Sequence, residues 1–299
     1  MPDGVRPMSA LIARSPALST LLRLGRISNL PTVWTNVIAG SVIAGGARRP
    51  AEIAAIAVAM SASYVGGMYL NDYFDRALDA RERPDRPIAA GAIGAGAVSI
   101  VGFGLLATGV GLMIPFGLVA VLWGALLAGV IVLYDVWHKG NAFSPVVMGL
   151  CRALVYVGAG VAMAGSVAGA LAGGAAALAA HVMGLTYAAK QESLDRVGNL
   201  WPLGLLAVPL LAAFAIGAGG LAVIVAFALL VAADIGAVWL LAKRPVPGSV
   251  PRAVSALIAA ICLVDALAVA LAGGAPALVL ICAAGYPLTR LFQMSIPGT

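Results

Sequence analysis

Residues 220–242 read GLAVIVAFALLVAADIGAVWLLA, an apolar run in which Asp234 is the one charged side chain. A helix of about 20 apolar residues crosses roughly 30 Å of hydrocarbon, so this run has the length of a membrane span. Similar runs recur along almost the whole chain of 299 residues, which is 62% hydrophobic and only 10% charged. That composition excludes a water-soluble globule and predicts a polytopic membrane protein.

The apolar runs are continuous and do not alternate with polar residues, which excludes a transmembrane β-barrel. Helices then remain the way to satisfy backbone hydrogen bonds in lipid, so the sequence predicts an all-α membrane bundle. We place the spans near residues 28–46, 51–70, 92–113, 115–134, 143–163, 167–189, 201–218, 220–242 and 252–272. A tenth apolar stretch covers residues 275–292, and the sequence leaves open whether it crosses the membrane.

Residues 1–27 precede the first span and are interpreted as a cytoplasmic amphipathic segment. Within it, Leu11, Leu18 and Leu22 lie at intervals of seven and four, which predicts a short helix over residues 9–24 in the interface plane. Residues 28–299 are predicted to form a single transmembrane domain.

The distribution of basic residues predicts the orientation of the bundle. With the N-terminus in the cytoplasm, 14 lysines and arginines fall on the cytoplasmic side and 2 on the other side. Such a bias places both acidic motifs described below in the cytoplasm, and we expect an integral protein of a bacterial inner membrane. The net charge of +6 fits contact with anionic membrane lipids, and no nucleic-acid partner is expected.

A first polar motif lies at the end of the second span, where residues 71–79 read NDYFDRALD. Asn71, Asp75 and Asp79 are four residues apart, so they point the same way on a continued helix. Oxygen ligands of this kind suit Mg²⁺, which completes its shell with water and substrate phosphate. The alternative is a solvated loop of mixed charge, but the helical repeat at the mouth of a membrane helix favours the ion site. Nearby arginines suit the phosphate, namely Arg76, Arg83 and Arg86.

A second polar cluster follows the sixth span. Tyr187, Gln191 and Asp195 lie on one line of a helix, with Lys190 and Glu192 beside them. The cluster has fewer acids than the first, so a second metal site and an ordinary helix terminus are both open.

Polar residues within the spans give further candidates, because a charge at mid-membrane requires a partner or water. Arg152 lies at a depth that suits an acceptor carboxylate or an extra diphosphate contact. A structural ion pair of Arg152 with Asp234 or Asp265 is the alternative. Asn29 and Asn36 share one face of the first span, where they line a cavity or bond neighbouring helices.

The two acidic motifs, together with Arg86, Pro87 and Gly91, resemble the UbiA superfamily of intramembrane prenyltransferases. The resemblance covers nearly the whole chain and implies about nine transmembrane helices around a central cavity. It also implies that Mg²⁺ is held by residues of both motifs, namely Asn71, Asp75, Asp79, Gln191, Glu192 and Asp195.

Other residues take their predicted roles from the same resemblance. Arg26 matches an arginine before the first span, and Tyr134 with Lys139 match a tyrosine and lysine after the fourth helix. The family usually spaces that pair by four, whereas here they are five apart and His138 takes the four-spaced position. Gln191 stands where many members have an aspartate, so one metal site is expected to be weak or absent. The stretch from Tyr134 onward looks most like the branch associated with the ebo gene cluster.

The resemblance implies Mg²⁺-dependent transfer of a prenyl group from a prenyl diphosphate to a membrane-partitioning acceptor, expected to be aromatic. Asp72 or Asp75 would take the released proton, and Asp195 is a further catalytic candidate. Two sets of binding residues complete the prediction. The diphosphate would be bound by Arg26, Arg76, Arg83, Arg86, Tyr134, Lys139 and Lys190, and the acceptor cavity would be lined by Asn29, Asn36, Arg152 and Tyr187. A terpene cyclase and a non-catalytic carrier of the same fold are the rival functions, and Gln191 favours the carrier.

Overall fold

The computed structural model describes residues 16–46, 49–191, 198–217, 219–244 and 246–298. The regular structure of these residues is helical throughout, which confirms the all-α prediction. The α-helices are α1 (Pro16–Leu24), α2 (Leu30–Ile43), α3 (Pro50–Glu82), α4 (Ala95–Gly111), α5 (Leu118–Trp137), α6 (Ser144–Ala164), α7 (Gly169–Ala189), α8 (Val208–Ile216), α9 (Leu221–Lys243), α10 (Ser249–Leu271) and α11 (Pro276–Gln293). Short 3₁₀ segments cover Ile27–Asn29, Ile114–Phe116 and Trp201–Ala207.

Within the described chain, 7 helices are long and apolar enough to cross a membrane, and the protein is an integral membrane protein. They are α3, α4 with its 3₁₀ extension, α5, α6, α7, α9 and α10. The predicted count of about nine is approximate, because α2 has 14 residues and the seventh predicted span is a shorter segment, Trp201–Ile216. The described part of the amphipathic segment is helical from Pro16, whereas Leu11 lies outside the described residues.

Helix α3 is longer than a membrane is thick. Its 33 residues extend about 50 Å at 1.5 Å per residue, against roughly 30 Å of hydrocarbon. The C-terminal part of α3, which carries residues 71–79, therefore projects past the apolar layer while its helical register continues. This projection presents the acidic motif at one end of the bundle.

Helices α6 and α10 form the centre of the bundle. In the apolar stretch of each, 67% and 72% of the residues are buried within the protein, compared with 22% for α9. Helix α2 crosses α6 closely, because Gly40 has no side chain at the point of contact. A Cβ atom at Gly40 would collide with the backbone carbonyl of Tyr156. Small residues at a crossing let two membrane helices approach in this way. The close crossing brings polar side chains of α2, α6 and α10 together in the interior.

Candidate active site

A large polar cavity opens at the end of the bundle where α3 projects. It encloses about 1140 Å³, its open mouth included. The structure brings many of the sequence-predicted residues to its wall, and these are Arg26, Asn29, Asn71, Asp72, Asp75, Asp79, Arg83, Arg86, Tyr134, Lys139, Arg152 and Lys190. Residues from opposite ends of the sequence therefore share one site.

The acidic face of α3 forms one side of this cavity. Asn71, Asp75 and Asp79 line it from successive turns of the helix, as their spacing predicts. The amide of Asn71 is fixed at both ends: Arg26 Nη2 donates to its Oδ1 at 3.2 Å, and its Nδ2 donates to Asp135 Oδ1 at 3.2 Å. The carboxylate of Asp79 has neither a hydrogen bond nor an ion pair among the described residues. Asp79 therefore offers its carboxylate oxygens to a ligand at the cavity wall.

Two basic side chains at the end of α5 face Asp75. Lys139 Nζ lies 3.1 Å and His138 Nε2 lies 3.4 Å from Asp75 Oδ2. The His138 ring stacks on Tyr134 at a centroid distance of 4.8 Å, and its Nδ1 donates to the backbone oxygen of Tyr134 at 3.1 Å. His138 is the residue at which α5 ends, and its ring stays stacked on Tyr134. Lys139, the next residue, can therefore reach the carboxylate of Asp75. The five-residue spacing of Tyr134 and Lys139 is therefore compatible with both lining one cavity.

Two arginines at the rim share one acidic partner. Arg26 and Arg86 each approach Asp72 Oδ1 at 3.4 Å. Burial lowers the pKa of Arg86, and the positive charge of Arg26 lowers it further. Burial is the largest influence on Arg26 and opposes its charge, but Asp72 together with Tyr64, Tyr134 and Asp75 outweighs burial and raises the pKa of Arg26. Asp72 is therefore the shared counter-ion of the two guanidinium groups and anchors both of them at the rim.

A second, apolar chamber lies behind the polar cavity, between α2, α3, α5 and α6. It has a volume of about 540 Å³, its open part included, and its wall includes Met60, Leu127 and Val155. The two spaces share the side chains at their junction, namely Tyr64, Met68, Tyr134, Met148 and Arg152. Met60 precedes Asp75 by fifteen residues, or about 22 Å along α3. The chamber therefore offers a deep apolar extension to a polar mouth.

The chemistry of the acidic face fits Mg²⁺. Within the described ranges, no three carboxylate, histidine or cysteine side chains converge into a ready-made metal centre. Mg²⁺ differs from many metals in that it is usually held by one or two carboxylates together with substrate phosphates and water. Asp79, with its unpaired carboxylate, and Asp75, one turn away, supply such a partial ligand set.

A sequence model of the UbiA prenyltransferase family matches residues 32–254, most of the chain. The chain belongs to the UbiA prenyltransferase family. This confirms the resemblance on which the sequence prediction relied.

Two curated relatives of this UbiA family member match shorter regions. Digeranylgeranylglyceryl phosphate synthase of Methanopyrus kandleri is 32% identical over 122 residues, which cover 40% of this chain and 44% of the relative. The synthase of the same name from Ignicoccus hospitalis is 38% identical over 95 residues, or 32% of this chain and 31% of the relative. The matched region thus spans less than half the length of either relative.

Solved structures share the fold over most of their length. A UbiA homologue from Aeropyrum pernix K1 in its apo form gives a TM-score of 0.64 at 18% identity, covering 82% of this chain and 97% of that one. A UbiA homologue from Archaeoglobus fulgidus bound to DMAPP and Mg²⁺ gives 0.57 at 14% identity, covering 85% and 99%. These likenesses show that the UbiA fold is common to the three chains.

The structure keeps several predicted residues away from the cavity of this family member. Arg76 points outward, where its guanidinium lies 4.4 Å from the Tyr73 ring centroid. Gln191 does not line the cavity, because its Oε1 accepts a hydrogen bond from the backbone N–H of Gly198 at 2.6 Å. Tyr187 packs against the apolar core, and Asn36 lies in a buried hydrogen-bond network. Glu192 and Asp195 lie outside the described residues, so the second metal site stays a prediction.

Three side chains of the site were absent from the sequence-based list. His138 contacts Asp75, Asp135 binds Asn71, and Tyr64 lines both chambers. Asp135 is visible in the sequence as a carboxylate beside Tyr134, but it lies at the edge of an apolar run and not at mid-span, where a charge identifies itself as buried. His138 was visible as the residue in the four-spaced position.

Proposed function

We propose that this protein transfers a prenyl group from a prenyl diphosphate to an acceptor that partitions into the membrane, with Mg²⁺ as cofactor. One observation carries the proposal: an acidic helix face and a set of basic side chains line a cavity that adjoins an apolar chamber. The acidic face suits a hard cation, the bases suit phosphate oxygens, and the chamber suits a hydrocarbon chain. The homologue bound to DMAPP and Mg²⁺ supports the same substrate class and cofactor.

The diphosphate is proposed to lie beside the acidic face of α3, within reach of the two lysines at the ends of α5 and α7. Lys190 Nζ donates to Ser144 Oγ at 2.8 Å and to the backbone oxygen of Asn141, which fixes it at the rim. Burial, together with the nearby charge of Lys139, lowers the pKa of Lys190. An anion between the two ammonium groups would relieve this repulsion, which favours phosphate binding there.

Residues Asn71, Asp75 and Asp79 would hold Mg²⁺ at the acidic face. When bound, the ion neutralises phosphate charge and makes pyrophosphate a better leaving group. The rim arginines Arg83 and Arg86 add positive charge where the leaving group develops negative charge.

The reaction begins with cleavage of the allylic C–O bond, whose electron pair goes to the diphosphate oxygen. The acceptor then uses an electron pair to form the new bond to the allylic carbon, and it loses a proton. Asp135 lines the chamber wall, so its carboxylate, when ionised, is proposed to accept this proton. Asp72, a sequence-based candidate for this step, instead shares its carboxylate between Arg26 and Arg86. The apolar chamber excludes water that would quench an allylic cation.

The acceptor is proposed to reach the chamber from the membrane. The matched relatives are named for a glyceryl phosphate that carries geranylgeranyl groups, which supports a lipid-like acceptor. The aromatic acceptor and the ebo-type branch of the sequence analysis stay predictions. So do the bacterial inner membrane and the cytoplasmic side of the cavity.

Purified protein with Mg²⁺, a panel of labelled prenyl diphosphates and a membrane lipid extract tests the proposal. We expect prenylated products that depend on Mg²⁺, detected by mass spectrometry, and their loss in Asp75→Asn. Glu82→Gln, which neutralises an exposed carboxylate on the same helix, serves as the control. Release of pyrophosphate without any acceptor would instead indicate a cyclase, and binding without turnover would indicate a carrier.

A further inference from the structure

His138 stands at the end of α5, where the last carbonyl groups of a helix lack their full set of intrahelical partners. Its Nδ1 lies 3.1 Å from the backbone oxygen of Tyr134 and 3.2 Å from that of Asp135. Because a carbonyl oxygen only accepts hydrogen bonds, Nδ1 carries the ring proton and donates it to this pair. The neutral ring therefore has its lone pair on the other nitrogen, Nε2.

The surroundings of His138 fix the direction in which Nε2 points. The ring stacks on the Tyr134 ring at a centroid distance of 4.8 Å and an interplanar angle of 13°. Its side chain is only 12% exposed, and Nε2 lies 3.4 Å from Asp75 Oδ2. A lone pair and a carboxylate oxygen at this distance repel each other unless a cation or a proton lies against both.

A histidine held in this way has the arrangement typical of a metal ligand. Metal-binding histidines almost always donate their other ring N–H to a carbonyl, a carboxylate or water, which fixes the tautomer and the ring orientation. Two neighbouring ligands about 2.1 Å from an octahedral ion lie roughly 3 Å apart. The 3.4 Å between His138 Nε2 and Asp75 Oδ2 is close to that separation. Both atoms can therefore contact one ion after a small movement of either side chain.

Lys139 contacts the same carboxylate oxygen but is held less firmly. Its Nζ lies 3.1 Å from Asp75 Oδ2, and its side chain is 51% exposed. The flexible stem of a lysine allows the ammonium group to follow an incoming phosphate. His138 has no such freedom, because its ring is stacked and bonded to the helix end. A charged ammonium group also has no lone pair, so of these two side chains only His138 can bind a metal ion directly in its usual protonation state.

We propose that His138 Nε2 binds the metal ion together with Asp75, and that this nitrogen shifts the site toward softer divalent ions such as Mn²⁺ and Co²⁺. The inference rests on the proposed function and deepens it, because it concerns the cofactor of the proposed transfer. Carboxylate oxygens alone suit Mg²⁺, whereas imidazole is a ligand that suits transition metals. His138 and Asp75 supply two positions, and phosphate and water supply others.

The spectrum of bound Mn²⁺ tests the ligand directly. Pulsed electron paramagnetic resonance of the purified protein, with any purification tag removed, detects the hyperfine coupling of a coordinated imidazole nitrogen. The chain has 2 histidines, and the other, His181, is fully buried within the bundle. We therefore expect a nitrogen coupling in the wild type, measured with and without inorganic pyrophosphate, and its loss in His138→Gln. A wild-type protein that shows no nitrogen coupling, or binds no Mn²⁺, in both samples overturns the proposal.

Metal affinities provide a second test. We expect His138→Gln to weaken Mn²⁺ roughly 10- to 100-fold and Mg²⁺ by less, so that the preference for Mn²⁺ falls. Lys139→Gln serves as the matched comparison. It removes a positive charge from the same carboxylate without removing a ligand, so both ions should bind more tightly with their ratio unchanged. If His138 were only a cationic partner of Asp75, His138→Gln would also tighten both ions, and that result contradicts the proposal. If His138→Gln fails to fold, the nitrogen coupling of the wild type decides the question alone.

The metal ligand and the proposed function fail in different ways. If the nitrogen coupling is present but no prenylated product forms with any acceptor, the transferase proposal is wrong and the ligand assignment stands. If Mn²⁺ supports transfer but its spectrum shows oxygen ligands alone, the ligand assignment is wrong and the transferase proposal stands.

Discussion

The effect of neutralising Asp75 on diphosphate binding should change sign with Mg²⁺. In the wild type, Asp75 and Lys139 both line the cavity, and the carboxylate lies 3.1 Å from the ammonium group. Without Mg²⁺ its negative charge repels a diphosphate, whereas with Mg²⁺ it supplies a ligand. We therefore expect Asp75→Asn to bind a non-hydrolysable prenyl diphosphate slightly better in the absence of the ion and much worse in its presence.

The size of the loss follows from one charge-assisted interaction. Such an interaction contributes about 1.5–3 kcal/mol, which corresponds to roughly 10- to 150-fold in the dissociation constant. The fold itself should be little affected. The Lys139 side chain is 51% exposed, so its ammonium group is hydrated when the carboxylate is neutralised, and a pair of this kind contributes at most about 1 kcal/mol.

Isothermal titration with and without chelator measures both affinities on the same preparation. The quantity of interest is the ratio of the two dissociation constants, because it cancels any general change in the cavity. Glu82→Gln removes an exposed carboxylate from the same helix and should leave this ratio as in the wild type. A folded Asp75→Asn protein that keeps the wild-type ratio would refute the assignment of Asp75 as a metal ligand.

Three further predictions concern orientation, titration and packing. Single cysteines at the exposed positions Ala80 and Gly198 should be labelled by a membrane-impermeant reagent only in inverted vesicles, since the natural cysteines are buried; labelling of intact cells contradicts the predicted orientation. Affinity for the diphosphate should fall as the pH rises through the lowered pKa of Lys190, because the cationic form of Lys190 is lost there. In binding titrations at several pH values, Lys190→Arg should move this fall to higher pH, and an unmoved profile excludes Lys190 as the group responsible. Gly40→Val should lower the melting temperature by several degrees, since its Cβ would collide with the carbonyl of Tyr156; an unchanged melting temperature contradicts the close crossing.

The fold class and the acidic face of α3 follow from the sequence because both depend on local properties of the chain. Continuous apolar runs require helices in lipid wherever they occur. Helical periodicity then places Asn71, Asp75 and Asp79 on one face without reference to any other helix. For the same reason the predicted spans agree with the observed helices to within a few residues, with three exceptions. These are the shorter α2, the segment that begins at Trp201, and α3, which continues to Glu82 where the predicted span ends at residue 70.

The partners of those residues were decided by tertiary structure alone. Arg152 was expected either to pair with an acid or to bind a ligand, and its surroundings depend on α2 crossing α6 at Gly40 and on α10 presenting Asp265. His138 faces Asp75 because of where α5 ends against α3. Such contacts are set by the crossing angle and rotation of packed helices, which depend on the summed packing of many side chains, whereas the pattern along one helix reports only its own faces.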